Sequence, residues 1–355
     1  MSREMIAANA ALFGHLLDYC RDRGDEWPNG DARRFVASDD ADKRYLKELR
    51  ILEVVRFGLR RAIARIAVEE AHYFVTVGFE FDSSVDGLVS VEANGGAVVA
   101  ILSELRPLPV APASMVRNIV EVGKMGDVGY IGHDIGSVHS LFPEVRLYEC
   151  SNMPAESTWR VFLLLGVDEC SLGESWVDAG LREGLVNLAS IQNADLPYGA
   201  LCRSIFDWDP TAMYMALYRC IEATYAYEAC RRLAVALQVD ESWQSIAAVL
   251  QKEIGWYPRE AQSLVLVLQY ADDGDLREIC DQLNVGPADD VKVAAARAIY
   301  ELRNRLVHFR VGQEAVRREA MDWNRLCESM SRVVADVFST AFRRMDVELG
   351  QPLVS

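Results

Sequence analysis

Three residues near the C-terminal end of the sequence have the types and spacing needed to cleave a phosphodiester. Arg303 is followed directly by Asn304, and His308 lies five positions after Arg303. A guanidinium fits two phosphate oxygens at once, and an imidazole that titrates near neutral pH can take up or release a proton. Attack of an RNA 2′-hydroxyl on its own phosphate needs both functions and no metal ion. The pattern predicts metal-independent chemistry on RNA, with Arg303, Asn304 and His308 as the catalytic residues.

The helix that carries these residues limits how they can meet. Residues 288–309 have the apolar spacing of a helix, and the motif falls at its end. On a regular helix Arg303 and His308 are about 140° apart around the axis. They converge only if the helix ends or loosens between them, or if a second chain completes the site. Asn304 shares a helical face with His308, so we expect Asn304 to position His308 or the phosphate.

Charged side chains near the motif are further candidates. Arg305 and Arg310 are the predicted RNA-binding residues, and Arg317 and Arg318 follow closely. Cations at the end of a helix also oppose its dipole, and the sequence leaves both interpretations open. Glu222 could approach the same place from another predicted helix, although an ordinary helical carboxylate is the simpler interpretation.

The second half of the chain carries the pattern of an all-α domain over residues 175–346. Asp209-Pro210 is a strong helix start, because Asp can cap a helix and Pro suits its first position. Helices are predicted over 175–192, 209–238, 241–254, 259–270, 276–283, 288–309 and 313–346.

The first half, residues 1–170, carries the pattern of an α+β domain. Helices are predicted over 3–21, 42–70 and 114–122, and strands over 73–79, 88–91, 98–102 and 159–165. Asn94-Gly95-Gly96 has the composition of a hairpin turn. The predicted fold class is therefore an α+β N-terminal domain followed by an all-α helical bundle.

The motif and its helical context resemble the HEPN superfamily. That signature is an Arg, four to six further residues and a His, with a polar residue commonly placed directly after the Arg, as in Arg303-Asn304-…-His308. The resemblance covers residues 175–346, about half of the chain. It implies a HEPN endoribonuclease, a hydrolase that acts as a homodimer in which two motifs face one cleft. It also implies a toxin-like effector of prokaryotic antiviral (phage) defence, in which the N-terminal domain senses a protein or small-molecule trigger.

Other interpretations remain open. Many HEPN domains are inactive, so the alternative is a non-catalytic dimerisation or binding module with an N-terminal sensor. Some HEPN toxins are controlled by nucleotidylation of a tyrosine two residues after the His, but Arg310 stands there. Arg65 and His72 fit the signature at its longest spacing, although this match lacks the polar second residue and crosses from a helical to a strand pattern.

Composition excludes several classes of protein. A net charge of −16 over 355 residues argues against a general nucleic-acid binder, although it leaves room for a local basic site. The eight cysteines form no Cys-x-x-Cys pair, and no phosphate-binding glycine loop is present, so no metal and no cofactor are expected. No apolar run is long enough to cross a membrane, and no signal peptide is apparent. These features favour a cytoplasmic protein.

Overall fold

The chain divides into two compact units, Met1–Thr158 and Trp159–Ser355. The first unit combines a sheet with helices, and the described part of the second is helical. An α+β region followed by a helical region is therefore the observed fold class, as the sequence predicts. The computed structural model describes residues 4–79, 88–150, 158–170, 175–308 and 321–342.

A five-stranded antiparallel sheet lies at the centre of the first unit. Its strands occur in the order β1-β2-β3-β5-β4. Every second residue of β2 joins the apolar core, as the alternating geometry of a strand requires: Ala62, Ala64, Ile66 and Val68. The strands are β1 (Arg50–Phe57), β2 (Arg61–Val68), β3 (Ala71–Val77), β4 (Leu88–Val91) and β5 (Val145–Cys150).

Five helices of the first unit contribute to the same core. Leu12 and Leu16 of the first helix are fully buried there. The Tyr19 hydroxyl donates to the Ala111 carbonyl at 2.8 Å, which fixes this helix against the chain ninety residues later. The helices are α1 (Met5–Arg21), α2 (Asp40–Glu48), α3 (Gly95–Leu105), α4 (Ala113–Val120) and α5 (Ile135–His139).

The helix predicted over residues 42–70 is wrong beyond Glu48. The chain leaves α2 and continues as the β1–β2 hairpin, which turns at Gly58 with a φ of +72°. Leu52 and Leu59, two members of the predicted apolar stripe, are 48% and 75% exposed. The apolar spacing therefore fitted a helix by coincidence, while the side chains follow the alternation of two paired strands.

The described part of the second unit consists of helices joined by short connections. α15 packs against α7, α9 and α13, and α14 packs against α12 and α13. Its helices are α6 (Thr158–Glu169), α7 (Ala179–Ser190), α8 (Tyr198–Ser204), α9 (Thr211–Glu222), α10 (Tyr227–Leu237), α11 (Trp243–Ile254), α12 (Glu260–Val267), α13 (Asp273–Gln282), α14 (Val291–Val307) and α15 (Trp323–Ala341). A short 3-10 turn follows α12.

Two predicted strands are helices. Residues 98–102 lie in α3, and residues 159–165 lie in α6. Asn94, assigned to a hairpin turn, caps α3 by accepting a hydrogen bond from the backbone N–H of Ala97 at 2.8 Å. Both segments are buried over most of their length, and a continuous apolar run does not distinguish a buried helix from a buried strand.

The helix predicted from Asp209 to Gln238 is two helices, α9 and α10. Its start is confirmed, since Asp209 Oδ1 accepts from the backbone N–H of Thr211 at 3.1 Å. In the turn between the helices, the buried Thr224 hydroxyl donates to the Ile221 carbonyl at 2.7 Å. Such local side-chain bonds compete with helix continuation. The short helix α8 was not predicted, and residues 313–320 of the last predicted helix lie outside the described residues.

None of the helices within the described ranges is long and apolar enough to cross a membrane.

Candidate functional site

Helix α14 positions the predicted catalytic motif. Asp290 begins the helix by accepting from the backbone N–H groups of Lys292 and Val293 at 2.9 and 3.1 Å. Ala295, Ala296, Ala298, Ile299 and Leu302 are buried and hold it in the second unit. The buried Tyr214 hydroxyl of α9 donates to the Ile299 carbonyl at 2.8 Å, so the two helices keep a fixed separation close to the motif.

Arg303 lies largely inside the unit, with 18% of its side chain exposed. Its Nη1 donates to Asn304 Oδ1 at 3.0 Å. Two carboxylates flank the guanidinium: Glu222 Oε1 is 3.9 Å from Nη2, and Glu260 Oε2 is 3.8 Å from Nη1. The guanidinium carbon is 5.5 Å from the centroid of the Tyr218 ring. The Arg303 cation therefore has a carboxylate near each of its two terminal nitrogens. Its hydrogen bond at Nη1 is to Asn304, the next residue of the motif.

The hydrogen-bond donors of Arg303 are not all used. The distances to both carboxylates exceed the roughly 2.7–2.9 Å of a charge-assisted hydrogen bond. Within the described residues the buried Nε has no hydrogen-bond partner. The Nη2 group thus retains N–H bonds that an oxyanion could approach more closely than Glu222 does, whereas the buried Nε is closed to a ligand.

Two tyrosines lie beneath this arrangement. The Tyr225 hydroxyl donates to the Tyr218 hydroxyl at 2.9 Å, and both side chains are buried. Burial raises the pKa of both phenols, although for Tyr218 the bond from Tyr225 and the charge of Arg303 oppose the shift. Both phenols are therefore protonated at neutral pH.

His308 lies at the end of α14 and is exposed. Its backbone N–H donates to the Asn304 carbonyl at 2.9 Å, and its own φ and ψ of −108° and 113° end the helix. Within the described residues, no hydrogen bond joins the His308 ring to Arg303 or Asn304. The Asn304 side chain therefore engages Arg303 and not, as one expectation had it, His308.

Because α14 is regular as far as Val307, Arg303 and His308 keep the separation of about 140° around the axis. The helix stays regular from Arg303 to Val307 and ends at His308. The structure brings Arg303 and Asn304 together and leaves His308 beyond them. Arg305 is exposed on the last turn of the helix, and Arg310 lies outside the described residues.

A groove of about 560 Å³ runs beside the motif between α12 and α14. Its lining combines apolar side chains with an aromatic ring, an amide, two cations and a carboxylate. The lining residues are Ala261, Val265, Val293, Ala296, Arg297, Tyr300, Glu301, Asn304 and Arg305. Asn304 is therefore shared between the groove and the Arg303 environment.

The sequence found only part of this site. The sequence left open whether Glu222 approaches the motif, and in the structure Glu222 lies beside Arg303. The sequence did not indicate Glu260. Its position beside Arg303 depends on the packing of α12 against α14, and local sequence patterns do not predict such packing. A carboxylate in the first turn of a predicted helix is the only available signal, and it is a common one.

His133 and His139 of the first unit, which are six positions apart in the sequence, both have hydrogen bonds. The His133 ring contacts the Tyr130 hydroxyl at 3.1 Å and the Val120 carbonyl at 3.0 Å. His139 Nε2 accepts from the backbone N–H of Val145 at 3.1 Å. Among the described residues, no group of three or more His, Cys, Asp or Glu side chains could hold a metal ion.

The second Arg–His match does form a contact. Arg65 Nη2 lies 3.4 Å from His72 Nδ1 across β2 and β3. Arg65 also donates to the Thr158 hydroxyl at 3.0 Å, so its guanidinium is partly committed. Ile66 follows Arg65 directly, so this match has no amide at the position that Asn304 takes after Arg303.

No protein-family model, curated protein or solved structure matches the chain significantly.

Proposed function

We propose that this chain is a HEPN-type, metal-independent endoribonuclease, with Arg303, Asn304 and His308 as its catalytic residues and Arg305 and Arg310 as RNA contacts. One observation carries the proposal. Arg303 is fixed at its Nη1 by Asn304, its Nη2 lies 3.9 Å from Glu222 Oε1 and so beyond hydrogen-bond distance, and an exposed His308 follows on the same helix. The sequence resemblance to HEPN domains adds to this observation.

Each residue has a role that follows from its surroundings. The Arg303 fork binds the non-bridging oxygens of the scissile phosphate and stabilises the charge that grows on them. Asn304 orients the guanidinium through the 3.0 Å hydrogen bond. His308 is exposed and can reach a substrate in solution. It moves a proton at the attacking or the leaving oxygen.

A second copy of the chain completes the site. Since α14 stays regular to Val307, one chain does not bring its own His308 to its own Arg303 through a looser helix. A two-fold dimer that uses the surface around the end of α14 would place the motif of each chain across from that of its partner. This supports a homodimer in which the Arg303 of one chain acts with the His308 of the other.

The biological role follows from the resemblance. HEPN ribonucleases act as toxins in antiviral defence, and we propose the same role here, with the first unit sensing a protein or small-molecule trigger. Arg305 and Arg310 then supply local positive charge to a chain whose net charge is −16.

The test compares wild type with Arg303→Ala and His308→Ala on a mixed RNA substrate in excess chelator. We expect wild type to leave 2′,3′-cyclic phosphate ends, and each variant to lose about 10²-fold or more of the activity. Circular dichroism and oligomeric state confirm that both variants are folded. Equal cleavage by all three proteins would remove this motif from the chemistry.

One observation favours a second function, a non-catalytic binding module with an N-terminal sensor. Arg303 is mostly buried between Glu222 and Glu260, as a structural arginine would be. In that case wild type cleaves no RNA, with or without candidate triggers, and Arg303→Ala destabilises the fold without any other effect.

A further inference from the structure

The carboxylates beside Arg303 supply a function that the motif alone lacks. Transesterification of RNA needs one group to take the 2′-hydroxyl proton and another to give a proton to the leaving 5′-oxygen. His308 provides one such group per site. Glu222 lies 3.9 Å from the Arg303 guanidinium and is 39% exposed, so it can meet a substrate.

We propose that Glu222 takes the proton from the attacking 2′-hydroxyl, and that His308 protonates the leaving 5′-oxygen. This assignment rests on the proposed ribonuclease function. It concerns a residue that the Arg–Asn–His signature does not contain, and it divides the acid and base roles between two different side chains.

The geometry of Arg303 supports the assignment. A phosphate bound to the Arg303 guanidinium lies close to the side chains that flank its two terminal nitrogens. Glu222 faces Nη2, whereas Nη1 is already hydrogen-bonded to Asn304. The 2′-oxygen is joined to the 3′-oxygen of the scissile phosphate through two adjacent ribose carbons, so a phosphate on Nη2 brings that hydroxyl close to the Glu222 carboxylate.

Glu222 rather than Glu260 has the position that this role needs. Glu222 lies beside Nη2, whereas Glu260 lies beside Nη1, which already donates to Asn304. A phosphate that binds at Nη2 therefore meets the Glu222 carboxylate first.

The neighbouring phenols do not compete for this role. Burial raises the pKa of both Tyr218 and Tyr225, so neither is a phenolate at neutral pH. Tyr218 instead supplies a ring against the guanidinium, which helps keep Arg303 in place.

The proposed step balances as follows. The 2′-oxygen forms a bond to phosphorus while its proton moves to a Glu222 carboxylate oxygen. The bond between phosphorus and the 5′-oxygen breaks, and the 5′-oxygen receives a proton from the His308 imidazolium. The products are a 2′,3′-cyclic phosphate and a 5′-hydroxyl. Proton exchange with water then returns Glu222 to its carboxylate and His308 to its imidazolium.

The test uses two RNA substrates that differ at one atom. In the second, the 5′-oxygen at the cleavage site is replaced by sulfur, which leaves as a thiolate without being protonated. We expect Glu222→Gln to lose about 10²-fold or more of kcat on both substrates. His308→Ala should lose a similar factor on the oxygen substrate and regain most of it on the sulfur substrate.

Matched variants separate a proton acceptor from a side chain that only holds Arg303. Glu222→Asp keeps the carboxylate and should restore part of the rate, while Glu222→Gln should remove the acidic limb of the pH–rate profile. Glu260→Gln removes one charge from the same guanidinium and should keep that limb. Glu253→Gln, an exposed change on α11, is the unchanged reference.

The outcomes are distinguishable. Wild-type cleavage with full activity in Glu222→Gln overturns this assignment and leaves the ribonuclease function in place. Equal loss and equal pH profiles in Glu222→Gln and Glu260→Gln also overturn it, because both would then act only through Arg303. A wild-type chain that cleaves neither substrate contradicts the ribonuclease function and the assignment together.

Discussion

Arg303 shows why the type of a residue does not fix its environment. Its position in the motif was readable from the sequence, but its partners Glu222 and Glu260 come from two other helices. A mostly buried guanidinium needs such counter-charges, and removing it leaves two carboxylates without the cation between them. Loss of activity in Arg303→Ala is therefore informative only beside a measurement of folding.

His139 gives a prediction about pH at the scale of one residue. Burial lowers the pKa of His139, although the charge of Glu144 opposes this. As the pH falls, His139 therefore becomes protonated in the unfolded chain at a higher pH than in the folded protein. The stabilisation that the neutral ring provides is complete above the ordinary histidine pKa of about 6.5 and is lost progressively below it.

The amide of Val145 reports this loss directly, because it donates to His139 Nε2. We expect its hydrogen-exchange protection factor, corrected for the intrinsic rate, to decrease as the pH falls from about 7.5 to about 5.5. His139→Gln keeps a side-chain acceptor that does not titrate, so its protection should vary little over this range. Protection that is independent of pH in the wild type would contradict the prediction.

At the scale of the elements, α2 approaches α3 closely at Gly96. Its backbone N–H donates to Asp42 Oδ1 at 3.0 Å, and a Cβ built there would lie 2.0 Å from the Asp42 carbonyl oxygen. Gly96→Ala must push the two helices apart. We expect it to destabilise the first unit by about 1–3 kcal/mol, as overpacking does. Reduced hydrogen-exchange protection of the β2 and β3 amides would show this.

Gly14 provides the matched control on α1. A Cβ at this position meets nothing within 4 Å, so Gly14→Ala only restricts the unfolded chain. This change should leave the same amides protected or raise their stability by up to about 1 kcal/mol. Equal protection of the β2 and β3 amides in the two alanine variants would show that the close approach of α2 and α3 does not require glycine at position 96.

The helices and strands differ in how well the sequence pattern predicted them. α14 was predicted almost to its ends, because its N-cap Asp290 and its apolar spacing agree with the fold. The stretch 42–70 and the strand at 159–165 failed for different reasons. In the first, a hairpin happened to satisfy helical spacing; in the second, burial on most sides erased the period that separates helix from strand.

The residues of the candidate site also differ in how well the sequence predicts them. The motif lies within six positions of the chain, so its spacing alone identifies Arg303, Asn304 and His308. Glu222 lies on another helix and remained one possibility among several. Glu260 was out of reach, since its closeness to Arg303 is a tertiary fact. Local sequence thus predicts which side chains a helix offers, and packing decides which of them share a site.

At the scale of the whole molecule, charge argues for a confined site. The chain carries a net charge of −16, and two of its carboxylates stand beside the proposed phosphate-binding arginine. A long RNA duplex would meet repulsion over most of such a surface. We therefore expect a substrate that enters locally, where the proposed RNA contacts Arg305 and Arg310 offset the acidic surroundings.

A dimer whose sites combine residues of both chains makes a distinctive prediction about mixtures. Arg303→Ala and His308→Ala homodimers each lack one essential residue at both sites. In a heterodimer of the two, one site loses both residues and the other keeps the Arg303 of one chain and the His308 of the other. Free exchange of subunits at equal concentrations makes half of the dimers mixed, with one intact site in two.

The mixture should therefore recover about a quarter of wild-type activity, although each variant alone is inactive. A site contained within one chain gives no recovery, because no chain in the mixture has both residues. The measurement is the initial rate of RNA cleavage after the two purified variants are mixed, with the fraction of mixed dimers determined by native mass spectrometry. Recovery in proportion to that fraction establishes the shared site, whereas mixed dimers without activity contradict it.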